Sequence, residues 1–207
     1  MIQELELSFT DPLVAHFKEL FEVNEPLRTF IANEFNDLRI QENPNPCWAY
    51  WLNDKYVVDD KISTMISKVR DLMKQNGFES DDSTGAFVSE LHYSYTNGDG
   101  IMSNTFVIHA DDYGLLDYPV NTFILYLDVQ CEGGELVFYN KKTDITCSLF
   151  SECINESTRY EPFRTVETHN PTKVSCKVVM FNGSIYHKPN TVVSGHRLSI
   201  MIQIPRV

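Results

Sequence analysis

Apolar residues recur at helical spacing early in the chain and at every second position later on. Asp11 and Pro12 stand ahead of Leu13, Phe17, Leu20 and Phe21, which predicts a capped helix over 11–22. A second helix is expected after Pro26, with Leu27, Phe30, Ile31 and Phe35 on one face, until Asn43-Pro-Asn-Pro46 breaks the chain. Cys47 to Leu52 is aromatic-rich and strand-like. Asp59 or Asp60 opens a third helix with Ile62, Met65, Ile66, Val69, Leu72 and Met73 inward, and Gly77 is its stop. These apolar stripes are read as core packing.

From about Thr84 the period changes to two. Strands are predicted over 87–95, 105–109, 121–129, 135–139, 177–181 and 197–204. Asn97-Gly-Asp-Gly100, Gly133-Gly134 and Gly195 are the turns. Residues 140–173 carry no clean period and are expected to be a long, lid-like inserted loop. The last strand is the most informative. Leu198, Ile200, Ile202 and Ile204 share one face, expected to pack on the N-terminal helices. Arg197, Ser199, Met201 and Gln203 share the other, which must then look into the strand layers. An arginine there requires an anionic partner, because an unpaired buried charge costs several kcal/mol. Helices followed by many short strands predict an α+β, mainly β fold: a strand sandwich or barrel backed by helices. The whole of 1–207 is expected to be one domain, with a helical flank over 1–80 and a strand core over 84–204.

Composition narrows the function. With 43% hydrophobic and 22% charged residues the chain is of the soluble globular class. It has no apolar run long enough for a membrane span, and its acidic start lacks the order of a secretory signal. A cytoplasmic or nuclear location is therefore expected. A net charge of −12 disfavours nucleic acid as a partner and suits a basic peptide or a small neutral substrate. The five cysteines are odd in number and include no CxxC pair, which argues against a disulfide framework or zinc knuckle. The two N-x-S matches, at Asn155 and Asn182, carry no weight in a chain without signs of export.

Candidate chemistry centres on Thr105-Phe-Val-Ile-His-Ala-Asp111. On an extended backbone His109 and Asp111 point to one side and form two-thirds of a His/carboxylate/His facial iron site. By itself His-x-Asp is a common tripeptide. A second histidine, His187, precedes a short loop, with Arg197 ten residues later and Ser199 two beyond that. His169 is the rival third ligand, but it has no arginine ten residues on. His196 neighbours Arg197 but points to the other face, and His16 and His92 have no supporting pattern.

Together with Glu132-Gly-Gly-Glu-Leu-Val-Phe138, these motifs resemble the Fe(II)/2-oxoglutarate-dependent oxygenases, and most of all their prolyl hydroxylase branch, from about Tyr93 to Ile204. The resemblance implies a double-stranded β-helix (jelly-roll) core, with Fe(II), 2-oxoglutarate and dioxygen as cofactors and ascorbate as a candidate reductant. It implies that His109, Asp111 and His187 bind the iron and that Arg197 pairs with the distal carboxylate of 2-oxoglutarate. Tyr126, placed before Leu-Asp as in the oxygen-sensing prolyl hydroxylases, would donate to that carboxylate. Ser199 and, on the face of Tyr126, Thr122 are further co-substrate candidates. A carboxylate at Asp111 points to hydroxylation, since the halogenases of the family carry a small residue there. Gln203 stands where the nucleic-acid demethylase branch has a second arginine. The implied substrate is a prolyl residue in a protein or peptide, with a free amino acid or other small molecule as the alternative. From different classes come a degenerate, non-catalytic binding module and a cupin-type metalloenzyme without a keto acid.

Overall fold

The computed structural model describes residues 1–22, 47–51, 60–81, 88–95, 107–112, 118–147, 154–169 and 174–207. Along the chain these form β1 (Ile2–Ser8), α1 (Pro12–Glu22), β2 (Cys47–Trp51), α2 (Asp60–Gln75), β3 (Val88–Tyr95), β4 (Val120–Gly133), β5 (Leu136–Cys147), β6 (Ile154–Val166), β7 (Ser175–Asn182), β8 (Tyr186–Pro189) and β9 (Val192–Pro205). The helix expected after Pro26, the Asn43–Pro46 break and the Asn97–Gly100 turn lie outside the described residues.

Local hydrogen bonds start α1 and stop α2. Asp11 Oδ1 accepts the N–H of Leu13 at 2.8 Å, capping α1 as its position before Pro12 predicts. At the end of α2 the N–H of Phe78 donates to Met73 O and that of Gly77 to Lys74 O, both at 3.0 Å. This is the paired closure of a Schellman motif, and it folds Phe78 back beside Met73 in the core.

The strands form two antiparallel sheets. One has six strands in the order β1-β7-β4-β9-β3-β2, the other three in the order β6-β5-β8. Leu13, Val14 and Phe17 of α1 and Met65, Ile66, Val69 and Met73 of α2 cover one face of the large sheet. There they meet Phe123, Leu125, Val178, Met180 and the expected row Leu198, Ile200, Ile202 and Ile204. The opposite face packs on the small sheet through Ile124, Tyr126, Val179, Phe181 and Met201, against Leu136, Phe138 and Val166. The middle of the large sheet is thus buried on both sides, which is why Thr122 to Leu127 reads as a nearly continuous apolar run. A β-bulge on β4 shifts the register between Tyr126 and Asp128, opposite β9. The extra residue changes the phase, so that Val129 and Cys131 stay on the side of Ile124 and Tyr126.

Three expectations change. Within the expected 140–173 loop, residues 140–147 and 154–166 are strand: β5 runs to Cys147 and pairs with β6 from Leu136↔Val166 to Cys147↔Ile154. Glu161, Phe163 and Thr165 are exposed, as are Lys141 and Lys142 of β5, so no apolar face imposes a period of two. A Lys142–Glu161 ion pair ties the two strands. In place of the strand expected over 105–109, His109 forms an isolated bridge, while 105 and 106 lie outside the described residues. Gly195 is not a turn but a kink inside β9, with φ of +79° opposite Cys131. A strand that the sequence pattern did not single out, β1, joins the large sheet at its edge. Its Glu4 pairs with Arg164 of β6 at 2.5 Å and Lys177 of β7 at 3.4 Å, so its charged positions are used structurally.

Cys131 and Cys176 are buried free thiols. Among the described residues, no helix is long and apolar enough to cross a membrane.

The helix–sheet layer predicts a clear contrast. Ile202→Ala, at a site with 0% exposure, is expected to cost about 2–5 kcal/mol in urea unfolding. Val193→Ala, 53% exposed on the same strand, is expected to change stability by less than about 0.5 kcal/mol.

Candidate metal centre

His109 and His187 face each other across an antiparallel bridge. The N–H of His109 donates to His187 O at 3.1 Å, and that of His187 to His109 O at 2.8 Å. Residues opposed in this way project their side chains to one side, and the two imidazole rings lie 4.4 Å apart. Asp111, two residues beyond His109, falls on the same side. Its Oδ1 is 3.6 Å from Nε2 of His109 and 3.7 Å from Nε2 of His187. Asp111 and His187 are buried, whereas the His109 side chain is 40% exposed, so the point of convergence opens to solvent past His109.

The outer nitrogens set the tautomers. Nδ1 of His109 lies 2.9 Å from Val107 O, and Nδ1 of His187 3.0 Å from Ile185 O. A carbonyl only accepts, so each Nδ1 carries a proton, and Nε2 is the nitrogen that each ring turns toward Asp111. His187 packs against Phe181, with ring centroids 4.6 Å apart, and near Phe138. Burial holds its pKa below the ordinary imidazole value; Asp111 opposes this shift, His109 adds to it and the Ile185 carbonyl opposes it. His187 is therefore neutral at pH 7. Neutral imidazoles whose second nitrogens are tied to carbonyls are the usual state of metal-binding histidines.

Two imidazole nitrogens and a carboxylate oxygen, all within 4.8 Å of one another, fit a facial Fe(II) site. Two bonds of about 2.1 Å at a right angle separate their donors by about 3 Å, so small side-chain rotations would close this set on an ion. His169 is exposed and does not belong to the group, and His196 instead meets Asp128 at 2.9 Å. The side chain of His92 lies outside the described residues.

The turn that carries Asp111 is held by residues that the sequence pattern did not single out. The N–H groups of Asp111 and Asp112 both donate to Gly183 O, at 2.8 and 3.2 Å. Asp112 Oδ1 accepts the N–H of Val120 at 2.8 Å, and its Oδ2 pairs with Arg206 at 2.7 Å. Gly183 stands where no side chain fits: a Cβ there would lie 2.7 Å from Val120 O and 2.8 Å from Asp112 Oδ1. The doublet Asp111-Asp112 and the Asn182-Gly183 step just before His187 were the available sequence signals.

The remaining site candidates share the inward face of the large sheet. Arg197 is buried, and its Nη1 donates to Gly134 O at 2.5 Å. Ser199 is buried opposite Tyr126 in the β4–β9 register. Burial pushes the Tyr126 pKa up to about 12 although the Arg197 charge pulls it down, so its phenol stays a protonated donor. Burial likewise raises the Cys131 thiol, against the pull of Arg197. Thr122 is fully buried, and its hydroxyl donates to Asp111 Oδ2 at 2.5 Å. It therefore meets a candidate ligand carboxylate, whereas the family resemblance implied a co-substrate contact.

Gly183→Ala is expected to cost about 1–3 kcal/mol in denaturant unfolding, because overpacking must displace Val120 or Asp112. Wild-type stability in that variant would contradict the close approach.

No protein-family model matches the chain, and no curated protein matches it. Among solved structures it is similar to prolyl 4-hydroxylases from Phytophthora capsici, at 15% identity and a TM-score of 0.50, over 99% of this chain and 59% of theirs. A prolyl-4-hydroxylase of Pseudomonas putida is similar at 15% identity and a TM-score of 0.47, over 99% of this chain and 92% of its own. At this identity the likeness to the Phytophthora protein is one of fold, while the convergence of His109, Asp111 and His187 rests on this chain's own geometry.

Proposed function

We propose that this chain is an Fe(II)- and 2-oxoglutarate-dependent dioxygenase whose two sheets form a double-stranded β-helix within one domain spanning 1–207. The observation that carries this reading is the convergence of two imidazole Nε2 atoms and one carboxylate oxygen at a partly open point. His109, Asp111 and His187 would hold the metal from one side, leaving its other positions to the keto acid and dioxygen. When bound, iron with 2-oxoglutarate and dioxygen supplies the oxidant for hydroxylating an unactivated carbon, with succinate and carbon dioxide as co-products.

The chain's own groups bind and orient. Arg197, buried on the inward face, is suited to the distal carboxylate of 2-oxoglutarate, because a planar guanidinium matches a carboxylate through paired donors. Tyr126 keeps its proton and so serves as a second donor, with Ser199 as its cross-strand neighbour. The aromatic wall of Phe138 and Phe181 keeps His187 dry. The proposed substrate is a prolyl residue in a protein or peptide; the fold likeness to a prolyl hydroxylase supports this choice.

The test is anaerobic titration with Fe(II) and 2-oxoglutarate, followed by succinate measurement with proline-containing peptides in air. Asp111→Ala is expected to abolish both metal binding and turnover. Arg197→Ala is expected to raise the KM for 2-oxoglutarate about 10- to 100-fold, the worth of a charged hydrogen bond, with metal affinity little changed. Turnover surviving in Asp111→Ala would contradict the ligand assignment. Metal binding indifferent to the keto acid would favour a metalloenzyme of another kind, and no metal binding a non-catalytic module.

A further inference from the structure

Asp111 uses its two oxygens differently. Oδ1 is the atom that faces both imidazoles, at 3.6 and 3.7 Å, whereas Oδ2 accepts the Thr122 hydroxyl at 2.5 Å. Thr122 has 0% exposure and Asp111 5%, so water does not compete for that bond. Thr122 is also well placed to impose direction. It lies on β4, between β7 and β9, opposite Phe181 on one side and Gln203 on the other. Its β-branched side chain has few χ1 choices in such a setting. A carboxylate, in contrast, turns easily about its terminal torsion, where the energy wells are broad.

Building on the metal reading above, we infer that Thr122 is a positioning residue: it anchors Oδ2 and so turns Oδ1 of Asp111 toward the two Nε2 atoms. Asp111 is then held at both ends, its backbone N–H by Gly183 O and its side chain by β4. A carboxylate held through one oxygen offers a single donor to an ion. It therefore occupies one coordination position and leaves another for an exogenous ligand. Without the hydroxyl, Asp111 is free to rotate in a buried site, and the donor set is no longer preorganised.

The experiment measures Mn(II) affinity by EPR titration, with no turnover involved, for wild type, Thr122→Val and Thr122→Ser. Thermal melts of each variant control for folding. Thr122→Val keeps the shape and removes the hydroxyl; it is expected to bind Mn(II) about 10- to 100-fold more weakly. Thr122→Ser, which retains the hydroxyl, is expected to restore affinity to within about threefold of wild type, on the same scale. Should Thr122→Val fail to fold, Thr122→Ala, which adds no bulk, takes its place in the comparison with serine. A merely structural threonine would lower the melting temperature and leave the Mn(II) affinity of the folded protein unchanged, which would overturn the inference alone. Wild type that does not bind Mn(II) would overturn the inference together with the metal reading.

Discussion

Two reciprocal backbone hydrogen bonds between His109 and His187 are the constraint from which the candidate site follows. They place two residues far apart in sequence directly opposite each other, so the direction of their side chains is fixed by backbone geometry. The imidazoles come to lie 4.4 Å apart without any long, flexible side chain having to find its partner. Asp111 then needs only to be two residues along on the same side. The candidate metal centre is in this sense a property of how the segment before β4 pairs with β8.

That pairing is braced from the large sheet. Gly183 at the end of β7 receives two N–H groups from the Asp111–Asp112 turn, and Val120 at the start of β4 donates to Asp112. Arg206, just past β9, adds an ion pair. Three strands of the sheet thus converge on one turn, and all three are backed by the helix-covered core. The inward face of the same sheet carries buried polar groups, namely Thr122, Arg197, Ser199 and Gln203. Burying such groups disfavours folding unless they gain partners. Their concentration on one face, opposite a mainly apolar one, coincides with the candidate site.

Much of this was readable from residues alone. The row Leu198, Ile200, Ile202, Ile204 against Arg197, Ser199, Met201, Gln203 assigned both faces of β9 correctly, because a strict period of two has one interpretation when one side is entirely apolar. The helix cap at Asp11 and the stop at Gly77 were local and therefore legible. His109, Asp111 and His187 could be nominated by type and spacing, but their convergence depends on a long-range bridge that no local pattern encodes. The pairing of β5 with β6 was missed because its exposed residues lie on both faces, so burial imposes no alternation. Edge strand β1 was missed because Glu4 and Glu6 look like solvated charge until Arg164 and Lys177 are seen beside Glu4. The hold of Thr122 on Asp111 could not be read at all, since a threonine facing a metal turn and one facing a co-substrate have the same pattern.

The central claim is that both histidines and Asp111 ligate one ion. X-ray absorption on the Fe(II)-loaded protein tests this most directly, because imidazole rings give distinctive multiple scattering. The account predicts a shell at about 2.1 Å with two histidine contributions, one of them lost in His187→Ala. A spectrum fitted by oxygen ligands alone, or one unchanged by that substitution, would contradict it.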